Sequence, residues 1–462
     1  MISHADANIP ISVRQHLSQQ SIVHALGTTQ ASPEQVEVCL LSDAKGIVQV
    51  FTSSHAVVEL DKVRAVTGRD LTPLSINQVR ALKLRLEVDT LPAFDDLIPA
   101  DTLIDSGLYR CEQIFVHSGN AQFRIALKNG AAMKRKDSTA IADVATALPL
   151  GQVDYQLGLF DDDPTLIHSA LTQFTALRIR QRLAETLEVP PLPDTAQAII
   201  RLRVDPYSNI EKLSRIVERD PSLAAQVVSW ASSSYYAAPG SVKSVQDAIV
   251  RVLGFDLVMN LALGLSLGKT LTLPTDPDQG ANAYWHRAIY VAACVGALVG
   301  AIPREFRPGF GLCYLAGLLH NFGYLLMAHA FKPHFEATHL MIALNRHLEH
   351  QHIEKHILGI TREQMASGLM GSWSMPSEVT LGIRYQGDPH YLGAHCDQAQ
   401  LIYLAQHLLQ EYGLLPPRHH LFDASVYERL HINTDSIEAL MTQLQQSQPE
   451  LDLMASALAT GR

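Results

Sequence analysis

The run Phe310 to Phe331, FGLCYLAGLLHNFGYLLMAHAF, is 22 residues without a formal charge and constrains the chain more than any other stretch. So long an apolar segment either spans a bilayer or lies at the heart of a large core. His320 and Asn321 at its centre, flanked by Gly317 and Gly323, carry polar groups that hydrocarbon cannot satisfy, so a buried core helix is predicted. Ala288 to Ile302, at 15 residues, is too short to span and receives the same reading. No membrane partner is expected.

A core of that size needs a chain able to surround it. The 462 residues, 47% hydrophobic and 18% charged, suffice for two or three cores. Thirty-six Lys+Arg against 46 Asp+Glu leave a net charge of -10, the wrong sign for a protein that grips phosphate backbones without sequence preference. The five cysteines are scattered, odd in number and never spaced as CxxC, which indicates neither a disulfide framework nor a thiolate zinc site. The N-terminal MISHADANIPISVRQHL has no basic region followed by an apolar one, so no secretory signal is read there and a cytoplasmic setting is expected.

The texture changes near residue 147. Val36 to Phe51 reads as two β-branched runs around a Ser-Asp-Ala-Lys-Gly turn, and Gln113 to His117 and Gln122 to Leu127 are further strands. Ile76 to Leu86 has helical spacing, so residues 1–147 are predicted as an α+β domain. Residues 148–187, with the acidic Asp161-Asp162-Asp163, read as a linker and helix. Beyond them only helices are predicted: an all-α domain over 188–415 and a peripheral helical tail over 416–462. Its helix starts are Asp194 after Pro193, Asp220 before Pro221, and a Ser244/Asp247 capping box ahead of AIVRVLGFDLVMNLALGL.

Several motifs of the helical half occur in one family's order: Val189-Pro-Pro-Leu-Pro193, Val217-Glu-Arg-Asp-Pro-Ser-Leu223, Ser244-Val-Gln-Asp-Ala-Ile249 with Leu253-Gly254, and Leu315-Ala-Gly-Leu-Leu-His-Asn-Phe-Gly323. This half resembles the HDOD family, degenerate relatives of the HD metal-dependent phosphohydrolases. The resemblance implies a signalling or regulatory module. Its parent chemistry needs imidazoles and carboxylates around a divalent ion that lowers the pKa of bound water. By that resemblance His286 matches the first histidine and His320 the histidine of HD. The aspartates, however, have become Asn321 and Gln406, and further ligand positions are Arg362 and Tyr385-Gln386. With no anionic ligand, His286, His320 and Asn321 are expected to form a hydrogen-bonded cluster, and no cofactor is expected. A metal, were one held, would fall to His286 and His320.

The N-terminal half resembles the YbaK/prolyl-tRNA-synthetase-associated family of aminoacyl-tRNA deacylases. The residues that carry this are Glu34-Gln35-Val36, Leu91-Pro92-Ala93-Phe94, Thr102-Leu-Ile-Asp-Ser106 and Val116-His-Ser-Gly119. The resemblance implies a pocket at Val38, Pro92, Phe94, Ser118 and Gly119. The family's lysine position falls on Val38 and its glycine after Phe94 is Asp95, so the stabilising cation is missing. Lys45 is placed in the hairpin turn, and Ser118-Gly119 could present backbone N–H groups to a carbonyl.

The basic cluster Lys134-Arg135-Lys136 is the best candidate for a tRNA contact, although residues 1–145 hold 14 basic and 16 acidic side chains, a balance of -2. His352 and His356, four apart with Glu349 before them, are read as a solvated helix face, with a surface metal site as the other reading. Both halves lose charged chemistry in parallel. The expected function is therefore signal transduction by binding an unidentified protein or small molecule, with tRNA editing or phosphohydrolysis as the enzyme alternatives.

Overall fold

Strand-forming alternation before residue 147 yields ten strands among the described residues: β1 (Ala25–Thr28), β2 (Val36–Asp43), β3 (Gly46–Ser53), β4 (Ala56–Val58), β5 (Thr72–Pro73), β6 (Asp101–Asp105), β7 (Ile114–His117), β8 (Phe123–Leu127), β9 (Ala140–Ala142) and β10 (Ala145–Ala147). This computed structural model describes residues 9–19, 22, 25–28, 34–128, 130–134, 136–150, 158, 160–180, 192–236, 242–268, 281–416 and 422–460. The expected hairpin forms with Asp43 opposite Gly46, and Lys45 lies exposed in its turn. Gly46 takes φ +127°, which a side chain would disfavour. Four helices accompany the strands: α1 (Ile11–Gln19), α2 (Leu60–Thr67), α3 (Ile76–Leu86) and α4 (Ser106–Tyr109). The helix predicted over Ile76 to Leu86 starts at a capping box of Ser75 and Gln78.

After residue 159 the described elements are helices: α5 (Asp163–Arg180), α6 (Asp194–Arg203), α7 (Ile210–Glu218), α8 (Pro221–Ala231), α9 (Val245–Ala248), α10 (Phe255–Gly268), α11 (Ala281–Ala301), α12 (Phe310–Leu319), α13 (Phe322–Ala330), α14 (Lys332–Leu344), α15 (His350–Leu358), α16 (Arg362–Ser372), α17 (Ser377–Arg384), α18 (Cys396–Glu411), α19 (Ser425–Arg429), α20 (Ile437–Gln446) and α21 (Gln448–Thr460). Asp220 caps α8 as expected, accepting from Leu223 N with Pro221 in the first turn. Three expectations are corrected. Pro193, not Asp194, stands at the cap of α6. Ser244 accepts from Asp247 N, but the Asp247 carboxylate turns to Lys243 N, so only half of the box forms. The helix expected to run on through AIVRVLGFDL instead ends in a π turn at Gly254, φ +78°, before α10 begins.

The uncharged 22-residue run is long and apolar enough to cross a membrane by length and composition, yet it is two buried helices, α12 and α13, broken at His320-Asn321. Its glycines are close approaches. A Cβ on Gly317 would meet Ala292 Cα at 3.0 Å, and one on Gly323 would collide with the Arg362 carbonyl oxygen. The tail expected over 416–462 holds three helices among its described residues, α19, α20 and α21, and it is not peripheral: α21 packs on α11 and buries Leu451, Met454 and Ala455.

The chain divides into two units, residues 1–158 with 336–357, and residues 159–335 with 358–462. Unit 1 holds an antiparallel sheet β1-β8-β7, a pair β10-β4, and a mixed sheet β5-β2-β3-β6-β9 whose β3-β6 and β6-β9 ladders are parallel. The strand alternation gives two cores. Val36, Leu40, Phe51, Phe94, Val116 and Ile125 share the first with Val13 and Leu17 of α1. Cys39, Leu41, Val48 and Val50 share the second with Met341, Leu344 and Ile353 of α14 and α15. Asn345 fastens this downstream segment: its Oδ1 accepts from Val58 N at 2.7 Å and its Nδ2 donates to Val58 O at 3.0 Å. Unit 2 is all helix around α10, α11, α12 and α18.

Candidate functional site

His320 closes α12. Its Nδ1 donates to Gly317 O at 2.7 Å, and its own carbonyl accepts from Gln386 Nε2 at 2.8 Å. Gln406 Nε2 in turn donates to Gln386 Oε1 at 3.2 Å. The structure thus gathers His320, Gln386 and Gln406 into one hydrogen-bonded chain, with Asn321 half-buried at the start of α13. His286 is engaged elsewhere: its Nε2 lies 3.3 Å from Asp452 Oδ1 of α21, and its ring stacks on Tyr290 at 4.1 Å. Tyr290 Oη donates to the same Asp452 oxygen at 2.8 Å. Burial pushes the His286 pKa down and the Asp452 carboxylate works against that shift.

A second polar group was unforeseen. Asp163, read as part of a linker, is fully buried at the start of α5 and pairs with the fully buried Arg384 of α17. The guanidinium NH2 donates to Asp163 Oδ1 at 3.0 Å, Gln364 Nε2 donates to that oxygen at 2.8 Å, and Arg384 also lies 4.9 Å from the Tyr385 ring centroid. Arg362 lies over Tyr324 at 5.3 Å. These residues do not fit a divalent metal. The gathered groups are one imidazole and two neutral carboxamides, with no carboxylate among them: Gln386 donates to His320 O and Ile383 O, and Gln406 donates to Gln386 Oε1, an uncharged set that compensates a hard divalent ion poorly. The nearby ion pair brings its own cation.

In unit 1 the positions expected to form a pocket are core. Phe94 is fully buried among Leu91, Ala93, Val116 and the α1 side chains, and Val38 packs against the same cluster. Pro92 is buried too. His16 of α1 stands 5.1 Å from the Phe94 ring centroid and 3.2 Å from Asp96. Ser118 and Gly119 present no N–H pair outward: Ser118 N donates to Phe123 O, and the Gly119 carbonyl accepts from Asp89 N at 2.7 Å. A Cβ on Gly119 would meet Pro10, Val13 and Val88 within 3.1 Å. The turn is thus packed rather than open.

The polar groups lie one residue along each strand, on the opposite face. Glu37 beside Val38 and His117 beside Ser118 are bonded at 2.9 Å, and Gln35 Nε2 donates to the other Glu37 oxygen at 2.9 Å. Thr52 is the ladder partner of Glu37, and Arg124 that of His117. The signal was present: period-two alternation puts residue 37 on the other face from 38. The family resemblance points to 38, on the core face.

Of the basic cluster, Arg135 lies outside the described residues. Lys134 and Lys136 are half-exposed, and Lys136 N donates to the buried Asp95 at 2.8 Å, so this segment is anchored through its backbone. His356 is not on a solvated face: its Nε2 lies 3.0 Å from Glu59 Oε1, within unit 1. His352 is half-buried, and burial pushes its pKa down.

A family model described as HDOD domain matches residues 189–389. Among solved structures the chain is similar to a putative signal transduction protein from Marinobacter aquaeolei VT8, at 38% identity over 98% of this chain and 100% of that one, with a TM-score of 0.84. It is similar in fold to an HDOD domain protein from Geobacter sulfurreducens, at 20% identity over 63% of this chain and 99% of that one, with a TM-score of 0.50. A putative trans-editing enzyme for prolyl tRNA synthetase matches at 15% identity over 30% of this chain and 99% of that one, with a TM-score of 0.25. No curated protein matches.

Proposed function

This chain belongs to the HDOD-domain family, and on that premise we propose that it is a signal-transduction protein that acts by binding a ligand or partner rather than by hydrolysis. The observation that carries the reading is the amide chain at His320: Gln386 spends its N–H groups on His320 O and Ile383 O, and Gln406 donates to Gln386, where a hydrolase needs carboxylates around an ion. The buried Asp163–Arg384 pair supports it, because a fixed guanidinium already supplies positive charge in the same helical core. The five cysteines, all free, agree with a reducing cytoplasmic setting.

The test is elemental mass spectrometry on untagged protein and on its His320→Ala variant, with turnover of a generic phosphodiester and of mischarged tRNA measured in parallel. The reading expects no stoichiometric metal and no turnover. Near-stoichiometric iron, manganese or zinc that disappears in the variant, together with phosphodiester cleavage, would overturn it. Release of amino acid from mischarged tRNA would assign an editing activity to unit 1.

A further inference from the structure

We propose that unit 1 contains an enclosed binding site for a small oxyanion, built on the row Thr52, Glu37, His117 and Arg124. The row crosses β3, β2, β7 and β8 on the sheet face turned away from the first core. Ladder pairing sets Thr52 beside Glu37 and His117 beside Arg124, and the 2.9 Å Glu37–His117 bond joins the two pairs. The Gln35–Phe115 bridge, two residues upstream on both strands, holds β2 against β7 in that register.

Three of these four residues bury a polar atom with no partner: Thr52 Oγ1, His117 Nδ1 and Arg124 Nε. The residues are 0%, 3% and 7% exposed. Leaving such an atom without a hydrogen bond costs its full desolvation, and folded proteins almost always pair them. Three in one row are therefore one set in need of a common kind of partner. Its kind follows from the donors. Arg124 Nε–H can only donate, and Thr52 Oγ can donate. His117 meets the Glu37 carboxylate through Nε2, so Nδ1 is the ring nitrogen left for a further partner.

The charge balance points the same way. Glu37 is the one carboxylate of the row, Arg124 is within it, and Lys83 of α3 also acts on Glu37. A carboxylate or phosphate oxygen pair over His117 and Arg124 would accept from both. The burial of all three residues restricts the ligand to a few atoms or to the anionic end of a larger molecule.

The experiment is calorimetric titration of the full-length chain with sodium acetate and, separately, with sodium phosphate, against chloride at matched ionic strength. Saturable one-to-one binding of either anion is expected, and the arm that saturates says whether the site takes a planar carboxylate or a phosphate. Arg124→Met and His117→Gln should each weaken it at least about tenfold, since each removes a charge-assisted hydrogen bond. Gln406→Ala, in unit 2, should leave it unchanged. Melting curves establish that each variant is folded; should Arg124→Met fail to fold, His117→Gln and Thr52→Val decide. No saturation by either anion, meaning that the row holds water only, overturns the proposal. So does binding that survives unchanged in both folded variants.

Discussion

The two polar centres of this molecule are held together by different kinds of contact. At His320 in unit 2, side-chain amides bond to one another and to backbone, and a carboxylate from the start of α5 meets Arg384 head on. At Glu37 in unit 1, a comparable set of buried polar groups leaves Thr52, His117 and Arg124 with unmade bonds. The first centre is knit by bonds between side chains of different helices, and the second is a row of strand residues joined through Glu37 to His117 and Gln35. Position by position, what matters is whether a polar side chain finds its partner within the chain.

The sharpest way to break this contrast is Asp163→Ala. It strands the Arg384 guanidinium in the core of unit 2, and removing one partner of a buried pair costs about 3–5 kcal/mol. Urea unfolding of unit 2, followed by hydrogen exchange in α16 and α17, should show that loss. The double variant Asp163→Leu with Arg384→Met should recover most of it, because an apolar pair fills similar volume without a desolvated charge. If Asp163→Ala is neutral, the pair is not what closes the centre.

Asn345→Ala is the matching test in unit 1. It leaves Val58 N–H and C=O without the side chain that pairs both, at about 1–3 kcal/mol for each buried group, and should open β4 to hydrogen exchange while β7 and β8 stay protected. Equal loosening of all three strands would mean that residues 336–357 support the whole unit rather than one edge.

That segment also marks where sequence reading stops. The hairpin at 36–53, the helix over 76–86, the Asp220 cap and the burial of the 22-residue run were legible because each depends on residues within a few positions of one another. The contacts that make the centres were not. Asn345 and Val58 are 287 residues apart, Asp163 and Arg384 are 221 apart, and no spacing rule joins them. The unit 1 row was missed for a different reason: the strands were read correctly, but attention fell on Val38 and Ser118, a single step from Glu37 and His117, and in a strand one step changes the face.

The smallest effect expected lies at a titratable contact of α21, His286 with Asp452. Burial holds the folded pKa of His286 below its ordinary value of 6.5, so the unfolded chain binds the proton more readily. Stability from this residue is therefore fully present above about pH 6.5 and is lost as the pH falls below it. His347, buried in unit 1 beside Cys39 and Ala56, has the same sign, so both units should weaken together in mild acid. They differ in compensation, since Asp452 lies directly on His286. Asp452→Asn removes a pair that is more than a third exposed on both sides, so the stability loss at neutral pH should be only about 0.5 kcal/mol after solvent screening. Its clearer signature is the His286 titration itself, followed by NMR, which should move further down while His347 stays put. If it moves up, burial is not what sets the proton affinity of His286. The helical unit would then owe its acid sensitivity to some other group than the histidine clasped by its last helix.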